Sequence, residues 1–531
     1  MHRSVLVPFT LLWFLLSIAP SRGGDASTAD SAKALSVSTP SKRPVKLEQS
    51  YARFEGKLCP LERKLFADAA DGRLESHSLL TATMIASGVR EPAILAQAQQ
   101  RLAAWRQELA HLPQFRGSPR DRAQLAFEFL HKRILVGGYG RDNTDIRKTL
   151  QTGQFNCLSA TVLFNSLAAE LGLSACGLEL PGHVMSRLAL VDGPYDVETT
   201  CPQWFQLSAD PQQRLKWIER ARGKREEGPQ DHPGREVSPL QLTAMIYYNR
   251  GVDLLAEQRF DEALAANAKA LRLDQSNATA RGNLLAALNN WAINLAAAAD
   301  FAAAVGRLES GMELDRSYPA FGVNYAHIHY QWVEVLCRER EFRKAAQVLQ
   351  HAASVRPEDG YFRKAMLELY RVWARDRLTA GQWDEVWAVF AEAERVCLNR
   401  EAWLSGEQTE LNRCAVSLLD QQRFADAVRL LQRSLQRHQD SQILAENLRV
   451  AAMRWAEEAF ANADYVEAIR RTTLGAGAGQ LHEALLNNIR YGYRQWAAEL
   501  ASQGRLQESR QVGQRALADP FLGAGLQAIA P

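Results

Sequence analysis

From about residue 244 to the end, the sequence repeats with a period of 41, and this decides what the larger part of the chain can fold into. Phe260, Phe301, Phe342, Trp383, Phe424, Tyr465 and Leu506 each stand 41 residues apart. Three residues after each come Ala263, Ala304, Ala345, Val386, Ala427, Ala468 and Ser509, and ten after each come Ala270, Gly311, Ala352, Ala393, Ser434, Gly475 and Ala516. Ten before each, from the second unit on, come Trp291, Trp332, Trp373, Cys414, Trp455 and Trp496. Aromatic residues are only 8% of the chain, so their return at one phase is a constraint rather than chance. A period of this size is the signature of stacked supersecondary units.

A small residue where two helices cross lets their axes approach to about 8–10 Å. A large ring at a fixed offset then fills the space between one hairpin and the next. No single hairpin buries its own apolar face, so stacking supplies the core. The pattern therefore predicts an α-solenoid of seven 41-residue helical hairpins over 240–531. The constant phase of the aromatic stripe makes it packing rather than a ligand platform. His327 and His329 are two apart, which on a helix points their rings apart, so no metal site is expected there. The unit formed by Gly251, Leu254, Ala263 and Ala270, with Tyr247 upstream, resembles the tetratricopeptide repeat over about 244–530. That family has a unit of about 34 residues. The extra residues here fall between the last small position of one unit and the Trp of the next, as between Ala270 and Trp291.

The chain has 531 residues, too many for one core, and a formal net charge of +3, which gives no basic excess for nucleic acid. Residues 1–24 read as a signal peptide: a basic start, an apolar run between Val5 and Ile18, then small residues. An uncleaved anchor is the alternative, and no other segment is a candidate membrane span. Residues 25–50 are Ser/Thr/Ala/Pro-rich and read as a flexible linker. A second linker, charged and rich in Pro and Gly, is expected at 221–239 and would let the solenoid move against what precedes it. The seven cysteines are scattered without paired spacing, so neither a disulfide framework nor a structural zinc site is expected. No cofactor is implied.

Between the linkers, at 51–220, helical spacing comes first. It is seen in Leu61, Leu65, Phe66 and Ala69, in Ile94, Ala98, Leu102 and Trp105, and in a helix opened by Ser118-Pro119 and broken by Gly137-Gly138-Tyr139-Gly140. Residues 156–171 form an apolar helix with Cys157 in its first turn, where the helix dipole favours the thiolate. Short strands are expected at 175–180, 183–190 and 195–198. His183 enters the second strand and Glu198 sits on the third, with Asp196 two residues earlier as a rival acid on the same face. Adjacent antiparallel strands can set His183 beside a carboxylate, and the helix can bring Cys157 to the imidazole. That is the arrangement of nucleophile, base and orienting acid.

These segments, Gly153-Gln154-Phe155-Asn156-Cys157, Leu171-Gly172-Leu173, Pro181-Gly182-His183 and Val197-Glu198-Thr199-Thr200, resemble the transglutaminase-like superfamily over about 119–205. That is the papain-like fold of transglutaminases, of related bacterial proteases and of a bacterial branch carrying tetratricopeptide repeats. The resemblance implies Cys157 as nucleophile, His183 as general base and then acid, and Glu198 as the residue orienting the imidazole. The family acid is usually Asp, which keeps Asp196 open. The 26 residues from Cys157 to His183 are fewer than in full transglutaminases and imply a trimmed domain. For the oxyanion, the backbone N–H of Cys157 is one candidate donor, and Gln151 or Gln154 could supply another.

The expectation is a mainly α chain: a small α+β papain-like domain, then the solenoid. Its expected role is that of an exported cysteine acyl-transfer enzyme, periplasmic or extracellular, with a protein or peptide partner on the concave face of the array. The alternative is a non-catalytic transglutaminase-like scaffold that assembles envelope proteins.

Overall fold

The computed structural model describes residues 51–207, 212–213, 216–217, 234–396, 400–476 and 482–522. The expected signal peptide, the 25–50 linker, residues 221–233 of the second linker and Cys397 lie outside the described residues.

Caps written into the sequence set the helices of the first half. Helix α1 (Pro60–Asp68) opens with a reciprocal box between Cys59 and Glu62. Two helices follow, α2 (Leu79–Ala86) and α3 (Pro92–Ala110). Helix α4 (Pro119–Arg133) opens with the Ser118 cap and Pro119 that the sequence predicts, with Asp121 closing the box. Helix α5 (Ile146–Thr152) ends on Gly153 in the left-handed region. Helix α6 (Cys157–Glu170) is buried from Leu158 through Ala168, so it forms the interior of this half rather than one face of it.

A sheet covers α6. Strands β1 (Ala175–Leu180), β2 (His183–Leu190) and β3 (Gly193–Val197) form antiparallel hairpins, and β4 (Arg235–Val237) completes the order β3-β2-β1-β4. The third strand begins earlier than its sequence pattern suggests, because the tight turn after β2 already pairs Leu190 with Gly193. Strand β4 lies inside the expected 221–239 linker. Gly177 of β1 pairs with Val237, and a Cβ at Gly177 would stand 2.5 Å from the Val237 side chain.

Seven hairpins follow among the described residues: α7 (Pro239–Ala256) with α8 (Phe260–Leu273), α9 (Ala278–Ala297) with α10 (Phe301–Leu314), and α11 (Pro319–Arg338) with α12 (Phe342–Val355). Next come α13 (Gly360–Thr379) with α14 (Trp383–Val396), and α15 (Arg400–Asp420) with α16 (Phe424–Arg437). The last are α17 (Gln442–Ala461) with α18 (Tyr465–Thr473), and α19 (Glu483–Ser502) with α20 (Leu506–Leu517). From α9 on, the first helix of each pair is 20 or 21 residues long and the second 14 or fewer, so the long half of the unit is its first helix. The repeated Phe, Trp, Tyr or Leu is the first residue of every second helix. Phe260 stacks on Trp291, Phe301 on Trp332 and Phe342 on Trp373, at interplanar angles of 4°, 17° and 14°. Each stack joins one hairpin to the next.

The solenoid does not begin as a free body. One hydrophobic cluster runs from Tyr51 through Ala452, and α7 packs on α2 and on the sheet. Across this junction Glu62 of α1 accepts from Lys269 of α8 at 2.7 Å, with both side chains nearly closed to solvent. The Tyr247 hydroxyl also donates to Glu62, at 3.4 Å. At the end of the expected linker, β4 and α7 are thus packed against the first half.

Candidate active site

The site is built on the first turn of α6. Asn156 is the N-cap: its Oδ1 accepts the Ser159 N–H at 2.9 Å, and Ser159 Oγ accepts the Asn156 N–H at 3.0 Å. The other end of the Asn156 amide donates to Arg141 O at 3.0 Å and Thr144 Oγ1 at 2.8 Å, while Ser159 Oγ donates to Asn143 O at 2.9 Å. The cap is therefore gripped by the 141–144 loop. This fixes Cys157 as the first helical residue, half-buried and unpaired with any other cysteine. The first helical hydrogen bond runs from Ala160 to Asn156, so the N–H groups of Cys157 and Leu158 precede it and point out of the helix end.

His183 and Glu198 meet at the other wall. His183 is the first residue of β2, delivered by the two-residue turn at Pro181 and Gly182. Glu198 directly follows β3. The imidazole Nε2 lies 2.6 Å from Glu198 Oε2, and the two side chains are 1% and 0% exposed. The second oxygen of Glu198 accepts from the Thr200 N–H at 3.0 Å and from the Thr200 hydroxyl at 2.6 Å, so the buried carboxylate has partners at both ends. With Nε2 engaged, Nδ1 is the nitrogen left for the thiol. It is buried and makes no hydrogen bond among the described residues, and Cys157 lies close enough to favour the charged imidazole. Burial opposes the imidazolium, but Cys157 and Glu198 outweigh it and push its pKa up to about 10.

The remaining sequence candidates fall elsewhere. Asp196 sits opposite Arg187 in the strand register and accepts from its guanidinium at 2.6 and 2.9 Å. Asp196 lies within β3, whereas Glu198 lies just past its end. Gln151 is exposed on α5 and Gln154 half-buried, and neither hydrogen-bonds Cys157, His183 or Glu198 among the described residues. Two supporting residues were not among the site candidates. Thr200 holds the acid. His131 of α4 lies beside Thr199; burial outweighs the Thr199 backbone's favourable effect and depresses its pKa to about 4, so the ring is neutral. Thr199 in turn bonds Thr161 of α6 through their hydroxyls at 2.9 Å. No group of three His, Cys, Asp or Glu side chains suited to a metal occurs among the described residues, nor does a helix long and apolar enough to cross a membrane.

No family model matches the chain, and no curated protein matches it. Solved structures of repeat proteins do. YrrB, described as a TPR protein with an unusual peptide-binding site, is 18% identical, with 38% of this chain and 90% of that chain covered and a TM-score of 0.14. The TPR domain of P58(IPK) is 18% identical, with 54% and 79% covered and a TM-score of 0.16. The tetratricopeptide-like character of the array rests on its own 41-residue succession of hairpins.

Proposed function

We propose that the chain is an exported cysteine acyl-transfer enzyme of transglutaminase-like type, whose repeat array binds a protein or peptide partner on its concave face. The observation that carries this is the buried 2.6 Å contact of His183 Nε2 with Glu198, which leaves Nδ1 to the Cys157 thiol at a helix N-terminus. In this reading His183 takes the thiol proton and the sulfur attacks an amide carbonyl carbon. The tetrahedral centre then collapses to a thioester while the amine leaves with the proton held on Nδ1. Water or a second amine, deprotonated by the same nitrogen, resolves the thioester and frees the thiol. Glu198 accepts from Nε2–H throughout, which orients the ring and stabilises the imidazolium whenever Nδ1 holds the proton.

Thiol reactivity tests the proposal. Iodoacetamide is expected to label Cys157 at near-neutral pH much faster than a peptide thiol, and His183→Ala to remove that advantage. A Cys157 that labels no faster than an unfolded-peptide thiol would sink the enzymatic reading. It would favour the second one, a non-catalytic scaffold, which the extent of the array and the solvent-sealed imidazole support.

A further inference from the structure

The Gly137-Gly138-Tyr139-Gly140 segment ends α4's extension with more glycine than a helix stop requires. Its geometry gives a reason. The segment runs parallel to the turn that precedes Cys157: Gly137 N–H donates to Gly153 O at 2.9 Å, Phe155 N–H to Gly138 O at 3.1 Å, and Gly140 N–H to Phe155 O at 2.9 Å. The approach is so close that a Cβ at Gly137 would lie 2.4 Å from Thr152 O, and one at Gly153 would lie 2.8 Å from Gly137 N. Tyr139, the one residue of the segment with a side chain, is thereby locked level with Phe155, two residues before the nucleophile. Its ring stands edge-on to Phe155, with centroids 5.9 Å apart.

Tyr139 is 51% exposed, and its hydroxyl makes no hydrogen bond among the described residues. It nevertheless feels both ends of the site: burial first, then the charges of Cys157 and Glu198, raise its pKa and keep the phenol protonated, despite the opposing charge of Arg141. A protonated, unengaged donor whose backbone is bridged to Phe155, two residues before the thiol, with the Cys157 and Leu158 N–H groups at the adjoining helix end, is what a developing oxyanion needs. Tyr248 of α7 also lies within electrostatic reach of Cys157, but it sits on the solenoid's first helix rather than on the segment paired with the turn before Cys157.

We infer that Tyr139 is the side-chain donor to the oxyanion that forms when Cys157 attacks an acyl carbon. The inference rests on the acyl-transfer reading above and replaces Gln151 and Gln154 in that role. When sulfur bonds to carbon, the carbonyl π pair moves onto oxygen, where the phenol O–H and the helix-end N–H groups receive it. When that pair returns, the bond to the leaving group breaks.

The test compares two reactions of the full chain, since only one of them passes through an oxyanion. 4-Nitrophenyl acetate transfers acetyl to Cys157 through a tetrahedral centre and releases 4-nitrophenol, whereas iodoacetamide alkylates the same sulfur by displacement of iodide. Tyr139→Phe is expected to slow acetyl-thioester formation roughly 100- to 1,000-fold and to leave alkylation within about twofold. Tyr248→Phe is expected to change neither. Acetylation of Tyr139→Phe at the wild-type rate overturns the inference. So does an equal fall in both reactions, which would place Tyr139 on the thiol rather than the oxyanion, or a selective loss in Tyr248→Phe alone. A wild-type chain that fails to acetylate or alkylate Cys157 rapidly overturns the acyl-transfer reading itself, and this inference with it.

Discussion

His183 Nε2 stands 2.6 Å from Glu198 Oε2 behind a closed wall of side chains, while Asp196, two residues earlier, faces Arg187 at the half-exposed rim of the same sheet. Two carboxylates from one short segment thus have different work, and the difference is measurable.

Glu198→Gln removes the charge that balances the imidazolium, and alkylation of Cys157 by iodoacetamide is expected to fall roughly 10²-fold. Asp196→Asn breaks a partly exposed ion pair worth about 0–1 kcal/mol and is expected to leave the rate within about twofold. The opposite ranking would make Asp196 the orienting acid.

The raised His183 pKa has a direction in stability. An ordinary histidine titrates near 6.5, and here, with burial overcome by Cys157 and Glu198, the value is about 10. The folded chain therefore holds the proton more tightly than the unfolded chain. The stabilisation is complete below the unfolded pKa and is lost as pH rises from about 6.5 through about 10. Urea unfolding of wild type and His183→Gln should show a gap that is widest on the acid side and narrows across that window. A gap that widens with pH contradicts the assignment.

How far the sequence could be read depends on whether a feature repeats or lies close along the chain. The solenoid was legible because one physical requirement, filling the space between hairpins, recurs as Phe260 against Trp291 and again down the array. The Ser118 cap, the helix start at Cys157 and the β1–β2 hairpin were legible because each is set by neighbours a few residues away. The choice between Asp196 and Glu198 was not, because it turns on which cross-strand residue each carboxylate meets. The same holds for β4, only three residues long and lodged in a charged, Pro/Gly-rich stretch, whose pairing with Gly177 is a tertiary event. Tyr139 was hidden in a loop that reads as a helix stop until its register with Phe155 is seen.

The junction offers a third prediction. Glu62 and Lys269 are 207 residues apart in sequence and 2.7 Å apart in space, with side chains 4% and 9% exposed. Burial would raise the Glu62 pKa, but Lys269 and the Cys59 backbone lower it, so this carboxylate is ionised in the fold. Lys269→Met leaves a buried charge without its partner and is expected to cost about 3–5 kcal/mol in chemical denaturation. Adding Glu62→Leu should recover most of that loss. Because the Glu62 pKa is lowered, the wild-type contribution of the pair is present above the unfolded value of 4.5 and disappears on acidification. Additive losses in the double variant would show that the two residues do not act as a pair.

The connection inside each hairpin carries a cost that the sequence does not announce. Gln258, Ala299, Arg340, Gln422 and Ala463 all adopt positive φ, between 55° and 62°, and Gly381 and Gly504 occupy the same place in the two remaining hairpins. A residue with a Cβ is strained in that region by about 1–2 kcal/mol, whereas glycine enters it freely but loses about 0.5–1 kcal/mol more backbone entropy on folding. Conformational strain should win narrowly. Ala299→Gly is therefore expected to stabilise the chain by about 0.5–1 kcal/mol, and Gly504→Ala to destabilise it by about 1 kcal/mol, read as shifts of the thermal midpoint. Since a solenoid couples each unit mainly to its neighbours, the Ala299 effect should persist when the last hairpin is perturbed. If Ala299→Gly lowers the midpoint and Gly504→Ala raises it, strain at this turn is not what sets the preference.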